Sequence, residues 1–142
     1  MQPIEFDQSH WPILLIKHPE EPVDKELTIH YLETLEGYFN RGEKFCIVFI
    51  VMGSKPPTAE HRFMVANWVK QKELVIKPFI LGTAYVMPGL IQKLTLMTFL
   101  KFLDTTEIIS PVKVFRSYTK AMAWANERCQ FLKLPLPAEE KN

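Results

Sequence analysis

The chain has few cysteines, and their scarcity argues against a small fold held together by disulfide bonds. Only two occur in 142 residues, and a chain of this length buries a sizeable core without covalent crosslinks or metals. Cys46 lies within an apolar run, and Cys129 lies on the apolar side of a late helical segment. Both are therefore expected to be small buried side chains in a reducing compartment, not partners in a disulfide.

Positive charge is not in excess, and long apolar runs are missing. The sequence has 17 Lys+Arg against 16 Asp+Glu, a formal charge of +1, so it lacks the electrostatic footprint of a nucleic-acid-binding protein. Its longest apolar stretch, Leu90 to Leu103, contains two lysines and is too short to span a bilayer. The segment 1–7 has neither the basic nor the apolar region of a signal peptide. We therefore expect a cytoplasmic protein without a transmembrane segment.

Motifs for catalysis and for nucleotide or metal binding are also absent. The turn at 53–55 lacks the second glycine that a phosphate-binding loop places before its lysine. No serine sits in a G-x-S-x-G nucleophile elbow, and the histidines show no H-x-x-x-H spacing for a metal. We expect no metal, no cofactor and no enzymatic chemistry. A conjunction of His61, Glu60 and Tyr85 around a crevice stays open as an alternative.

Apolar strands alternate with amphipathic helices along almost the whole chain. Phe45 to Val51 is an uninterrupted apolar run, typical of a central strand covered on both faces. Asp24, Thr58 and Ser117 are placed to cap the helices that follow them. The predicted strands are 3–7, 13–18, 45–51, 79–87 and 112–115, and the predicted helices are 24–42, 58–76, 88–103 and 117–132.

This order, β-β-α-β-α-β-α-β-α, predicts an α/β fold with a single mixed, mainly parallel sheet that opens with a hairpin. Residues 1–134 are expected to form one domain and 135–142 a flexible tail. By element order, and by the single turn after strand 45–51, residues 3–132 resemble the STAS domain of bacterial anti-sigma-factor antagonists and the related SpoIIAA-like domains. That resemblance implies a regulatory domain that works by binding another protein.

The turn after strand 45–51 is where open α/β sheets collect ligands. In the antagonist family this loop carries a phosphorylatable serine, and the resemblance places Ser54 in that position. A phosphate there would meet the N-terminus of the next helix, and Lys55 would add a positive charge. Ser54, Lys55 and Thr58 are therefore the candidate binding residues of this crevice. An ordinary turn, in which Ser54 makes a local hydrogen bond, is the alternative.

The predicted helix 88–103 is apolar around its whole circumference. A helix that covers a sheet keeps one polar face, so part of this surface needs another cover. Leu96, Phe99 and Leu103 lie on one side, which we expect to contact a partner protein or a second copy of the chain. Burial within the fold, and contact with a lipid or acyl ligand, are the alternatives.

The sequence thus predicts a non-enzymatic regulatory or protein-interaction module, homodimeric through helix 88–103. A carrier or sensor of an apolar, lipid-like small molecule is the alternative from another class. A hydrolase or transferase that uses the crevice near Ser54 is the third hypothesis.

Overall fold

The computed structural model describes residues 2–52, 55, 57–87, 89 and 111–133, with only the backbone for 131–133. They form an α/β fold with one sheet and helices on both of its faces. The strands are β1 (Glu5–Asp7), β2 (Ile13–His18), β3 (Phe45–Val51), β4 (Ile80–Val86) and β5 (Val112–Phe115). The helices are α1 (Lys25–Phe39), α2 (Ala59–Gln71), α3 (Glu73–Ile76) and α4 (Tyr118–Lys133).

The order of strands in the sheet follows their order in the chain. β1 pairs antiparallel with β2, and β2 to β5 are parallel, each hydrogen-bonded to the next in sequence. The predicted hairpin and the mixed, mainly parallel sheet are therefore confirmed. Because right-handed crossovers lead from β2 to β3 and from β3 to β4 in the same direction, α1 and α2 lie on one face of the sheet.

β3 is covered on both faces, as its continuous apolar sequence predicts. Successive side chains of a strand point to opposite faces, and both Val48 and Phe49 are buried. On the helix-pair face, which α1 and α2 cover, the core includes Leu14, Ile16, Tyr31, Leu35, Phe39, Phe45, Ile47 and Phe49. On the opposite face, which α4 covers, the core includes Ile13, Leu15, Cys46, Val48, Ala84, Ala121, Ala125 and Cys129.

The three predicted helix caps are present. The Asp24 carboxylate accepts a hydrogen bond from the backbone N–H of Leu27 at 2.9 Å. Thr58 Oγ1 accepts one from the backbone N–H of His61 at 3.0 Å. Ser117 Oγ accepts one from the helix N–H three residues later, at 3.3 Å. Each side chain thus satisfies one N–H group that the first turn of its helix leaves without a partner.

The predicted helix 58–76 is not continuous, because it divides at Lys72 into α2 and α3. Lys72 has φ −103° and ψ 11°, outside the helical region. The turn lets the side chain of Ile76 enter the core of the helix-pair face, while Leu74 remains 87% exposed. β1 and β4 are also shorter than predicted, with the bounds Glu5–Asp7 and Ile80–Val86.

The last helix packs on the sheet through Ala121, Ala125 and Cys129, which are buried, whereas Tyr118 at its start is exposed. Trp124 also reaches the sheet, where it lies against Gly82 of β4 and Phe115 of β5. It reaches the sheet because Gly82 has no side chain to keep the indole ring away.

Several predictions fall on residues that are not among those described. They are the helix 88–103, with Leu96, Phe99 and Leu103, the tail 135–142, and Ser54. Within the described part of the chain, no helix is both long enough and apolar enough to cross a membrane.

Candidate functional site

Titratable and aromatic side chains from four elements converge at the carboxyl edge of the sheet, on the helix-pair face. His18 is the last residue of β2, and Tyr85 is the penultimate residue of β4. Tyr31 comes from α1, and His61 lies in the first turn of α2. We call these four side chains the imidazole–phenol cluster.

Ring contacts hold the cluster together. The ring centroid of His18 lies 5.9 Å from that of Tyr31 and 6.4 Å from that of His61. Tyr31 and His61 stack at 6.1 Å. Phe49 of β3 lies beneath, 5.5 Å from His18 and stacked on Tyr85 at 4.7 Å. Two of the four polar rings, those of His18 and Tyr85, therefore contact one aromatic side chain of the central strand.

A hydrogen bond from α1 determines which nitrogen of His61 carries the proton. Thr28 Oγ1 lies 2.8 Å from the carbonyl oxygen of Asp24 and 2.8 Å from His61 Nδ1. The carbonyl oxygen can only accept, so the Thr28 hydroxyl donates its single proton to that oxygen. The second contact is then a hydrogen bond only if His61 Nδ1–H donates to Thr28 Oγ1. The neutral His61 imidazole therefore keeps Nε2 as its acceptor.

Burial keeps both imidazoles of the cluster uncharged. Desolvation, and then the nearby His61, lower the pKa of His18 to about 4. Desolvation, and then the charge of Arg62, lower the pKa of His61 to about 4. At neutral pH both rings are therefore neutral, because the charged form would lose its hydration in this environment.

The two phenols are also uncharged at neutral pH. Burial raises the pKa of Tyr85, and burial together with the neighbouring Tyr85 raises the pKa of Tyr31. Both hydroxyls therefore stay protonated and able to donate a hydrogen bond. The cluster presents donors and acceptors without a formal charge.

Several of these polar atoms have no hydrogen-bond partner among the described residues. Within the described residues, no hydrogen bond involves the ring nitrogens of His18 or the hydroxyls of Tyr31 and Tyr85. No side-chain nitrogen or oxygen in that part of the chain is both fully buried and without a partner. These atoms therefore keep some contact with solvent, although the Tyr31 side chain as a whole is buried.

Of the crevice residues predicted from the sequence, the structure describes Lys55 and Thr58, and neither belongs to the cluster. Thr58 is engaged as the cap of α2. Lys55 Nζ forms an exposed ion pair with Glu21 Oε1 at 3.0 Å, which links the loop after β3 to the loop after β2. The sequence also left open a site made of His61, Glu60 and Tyr85. His61 and Tyr85 belong to the cluster, whereas Glu60 is exposed and lies outside it.

Sequence reasoning treated the histidines as scattered and did not connect His18 with His61. A positional signal was nevertheless available. His18 ends one parallel strand, Tyr85 lies near the end of another, and His61 begins the helix after β3. The carboxyl ends of parallel strands and the N-termini of the following helices share one edge of a sheet, so these residues must meet there.

Two imidazoles alone do not make a metal centre. Among the described residues, no group of three or more His, Cys, Asp or Glu side chains is arranged to hold a metal ion. The chain matches no protein-family model, no curated protein and no solved structure. The imidazole–phenol cluster is therefore the feature of the described residues that points to a function.

Proposed function

We propose that this chain is a non-enzymatic regulatory module that binds an uncharged, largely apolar small molecule at the imidazole–phenol cluster. The observation behind this proposal is that neutral polar atoms of His18, Tyr31 and Tyr85 have no hydrogen-bond partner among the described residues, beside Phe49, whose ring contacts His18 and Tyr85. Ligand sites typically combine an apolar lining with a few polar groups that orient the ligand. The apolar part of the ligand packs on the aromatic rings, and a hydroxyl or carbonyl group bonds to the polar atoms.

The charge state of the cluster selects against ionic ligands. Both imidazoles are neutral at neutral pH, and both phenols are protonated. A carboxylate or phosphate would lose its hydration beside uncharged rings, which is unfavourable by several kcal/mol. The charge of Arg62 reaches His61, but its guanidinium group donates to the carbonyl oxygen of Pro57. Lys55, the nearby cation expected to attract an anion, is already paired with Glu21. An alcohol, ketone or amide avoids this penalty.

The same pKa shifts support a binding role over a catalytic one. A general base is most effective when its pKa lies near the working pH. The pKa values of His18 and His61 are both about 4. An effective general base at neutral pH would need a pKa of about 7. The rings are good hydrogen-bond acceptors and weak bases.

We further propose that the fold belongs with the STAS and SpoIIAA-like domains, and that the chain signals ligand occupancy to a protein partner in the cytoplasm. The edge hairpin, the sequential parallel strands and the shared face of α1 and α2 support the first statement. The exposed apolar side chains Phe63 of α2 and Leu74 of α3 support the second, because a protein partner would remove their surface from water.

Fluorescence titration with N-phenyl-1-naphthylamine, an uncharged apolar probe, tests the ligand class. We expect saturable binding at neutral pH and displacement of the probe by 1-dodecanol at a concentration at least about tenfold lower than by dodecanoate. Equal displacement by the alcohol and the carboxylate contradicts the proposed selection against charge. An absence of saturable binding contradicts the site itself.

Matched variants locate the site. Tyr85→Phe removes one phenol of the cluster and keeps the ring on Phe49, so the affinity for 1-dodecanol should fall about 3- to 10-fold. Tyr118→Phe removes an exposed phenol at the start of α4 and should leave the affinity unchanged. If both variants bind like the parent chain, the alcohol lies elsewhere.

A further inference from the structure

Two cysteine sulfurs lie almost within bonding distance on the opposite face of the sheet. Cys46 is in the middle of the core on β3, and Cys129 is on α4. Their Sγ atoms are 3.2 Å apart, and both side chains are buried. A disulfide has an S–S length of about 2.05 Å, so the two sulfurs need to approach by only about 1.2 Å.

The surroundings of the pair keep the Cys46 thiol protonated, and so slow to react, while the fold is closed. The Cys46 thiol donates to the carbonyl oxygen of Ala125 at 3.6 Å, and Cys129 Sγ lies 3.7 Å from the carbonyl oxygen of Pro12. The hydrogen bond from Cys129, followed by burial, raises the pKa of Cys46. A thiol attacks a disulfide only as its thiolate, so exchange requires an opening of α4.

We propose that Cys46 and Cys129 form a reversible disulfide, a modification site that ties the central strand to the last helix. The oxidant is a low-molecular-weight disulfide of the glutathione class. One cysteine thiolate attacks it, releases one reduced glutathione and forms a mixed disulfide, which the second cysteine thiolate then cleaves. In total, two protein thiols and one oxidised glutathione give one protein disulfide and two reduced glutathiones.

The fold promotes this reaction by holding together two residues that are distant in sequence. The cysteines are 83 positions apart, so in the unfolded chain their encounter is entropically costly. Loop-closure arguments for a loop of this size predict a gain of about 10²- to 10³-fold in the equilibrium constant for the disulfide in the native state. Strain that arises when the sulfurs approach reduces this gain.

The experiment compares the disulfide equilibrium in the folded and the unfolded chain. The parent protein is incubated in mixtures of reduced and oxidised glutathione, once in native buffer and once in concentrated urea. In each case equilibrium is approached both from the reduced chain and from the disulfide form obtained by refolding in oxidised glutathione. Rapid alkylation and intact mass then count the thiols. Because the chain has only two cysteines, an intramolecular disulfide can join only this pair.

We expect the equilibrium constant for the disulfide in native buffer to exceed that in urea by about 10²- to 10³-fold. A ratio below about 10 overturns the proposal, because it shows that the fold does not favour the bond. The variant Cys129→Ala serves as a control. At the same glutathione ratio it should form only the mixed disulfide of Cys46 or a crosslinked dimer, and both species differ from the intramolecular product in mass.

Discussion

Thr28 Oγ1 and His61 Nδ1 lie 2.8 Å apart, and this hydrogen bond joins the first turns of α1 and α2 beside the imidazole–phenol cluster. Thr28 is fully buried and His61 nearly so. The bond therefore has two consequences. It assigns the proton of the neutral imidazole to Nδ1, and it makes the packing of the two helices depend on a polar contact shielded from water.

The substitution Thr28→Val tests this contact, because valine keeps the shape of the side chain and removes the hydroxyl. His61 Nδ1 then has no partner in a buried environment, and we expect the free energy of unfolding to fall by about 1–3 kcal/mol. Urea denaturation measures the change. The matched control is Thr34→Val, which removes an exposed hydroxyl bonded to the carbonyl oxygen of His30 and should cost less than about 0.5 kcal/mol. Equal costs for the two variants contradict the role given to Thr28.

Stability should depend on pH through the buried histidines. His18 and His61 have folded-state pKa values of about 4, below the ordinary value of 6.5. Between these pH values the unfolded chain binds more protons than the folded chain, so stability is complete above about pH 6.5 and falls as the pH drops toward 4. For His61 the loss is on the order of 3 kcal/mol.

Urea denaturation across this pH range checks the sign and the cause. The variant His61→Gln removes one of the two titrating groups and should flatten the decline, while His30→Gln, which changes an exposed histidine of α1, should leave the decline as it is. A parent chain whose stability is constant from neutral pH to about pH 4.5 is incompatible with neutral buried imidazoles.

Gly82 should be intolerant of alanine because of Trp124. A Cβ atom at Gly82 would lie 2.9 Å from Cη2 of the indole ring, well inside van der Waals contact. We expect Gly82→Ala to destabilise the fold by about 1–3 kcal/mol, and Trp124→Leu in the same chain to recover part of this loss. Gly37→Ala is the control, and it should change the stability in the opposite direction. A Cβ atom at Gly37 of α1 would meet no atom within 4 Å, so this variant should stabilise the helix by about 0.5–1 kcal/mol. Thermal unfolding of the three variants and of the parent chain measures these effects.

Self-association through the apolar segment 88–103 stays a prediction. If Phe99 contacts a second subunit, Phe99→Glu places a charge in that contact, and the dimer should dissociate while the monomer stays folded. Sedimentation velocity measures the mass, and circular dichroism checks the fold. Phe63→Glu on the exposed side of α2 is the comparison. Loss of the dimer in this variant alone assigns the contact to α2, and a parent chain that is monomeric at high concentration refutes self-association.

Local sequence carried enough information to predict most elements of the fold. The apolar run 45–51 predicts a strand buried on both sides, because only such a strand lacks a polar face, and β3 has those bounds. Asp24, Thr58 and Ser117 mark the starts of three helices, because a capping side chain bonds to N–H groups only three residues away. These signals depend on neighbours in sequence, and for that reason a single sequence reveals them.

Contacts between distant parts of the chain were decided only by the tertiary structure. Thr28 and His61 are 33 positions apart, and Cys46 and Cys129 are 83 positions apart, so no local pattern pairs them. Trp124 packs on the sheet because Gly82 lies opposite, a relation set by where α4 crosses β4. Within the described residues, the sequence by itself determined where the strands lie and where α1, α2 and α4 begin, since hydrophobic patterning and capping are local. Only the packing of α1, α2 and α4 on the sheet decided which polar side chains contact one another and lose their hydration. The chemistry of the imidazole–phenol cluster and of the Cys46–Cys129 pair follows from those contacts.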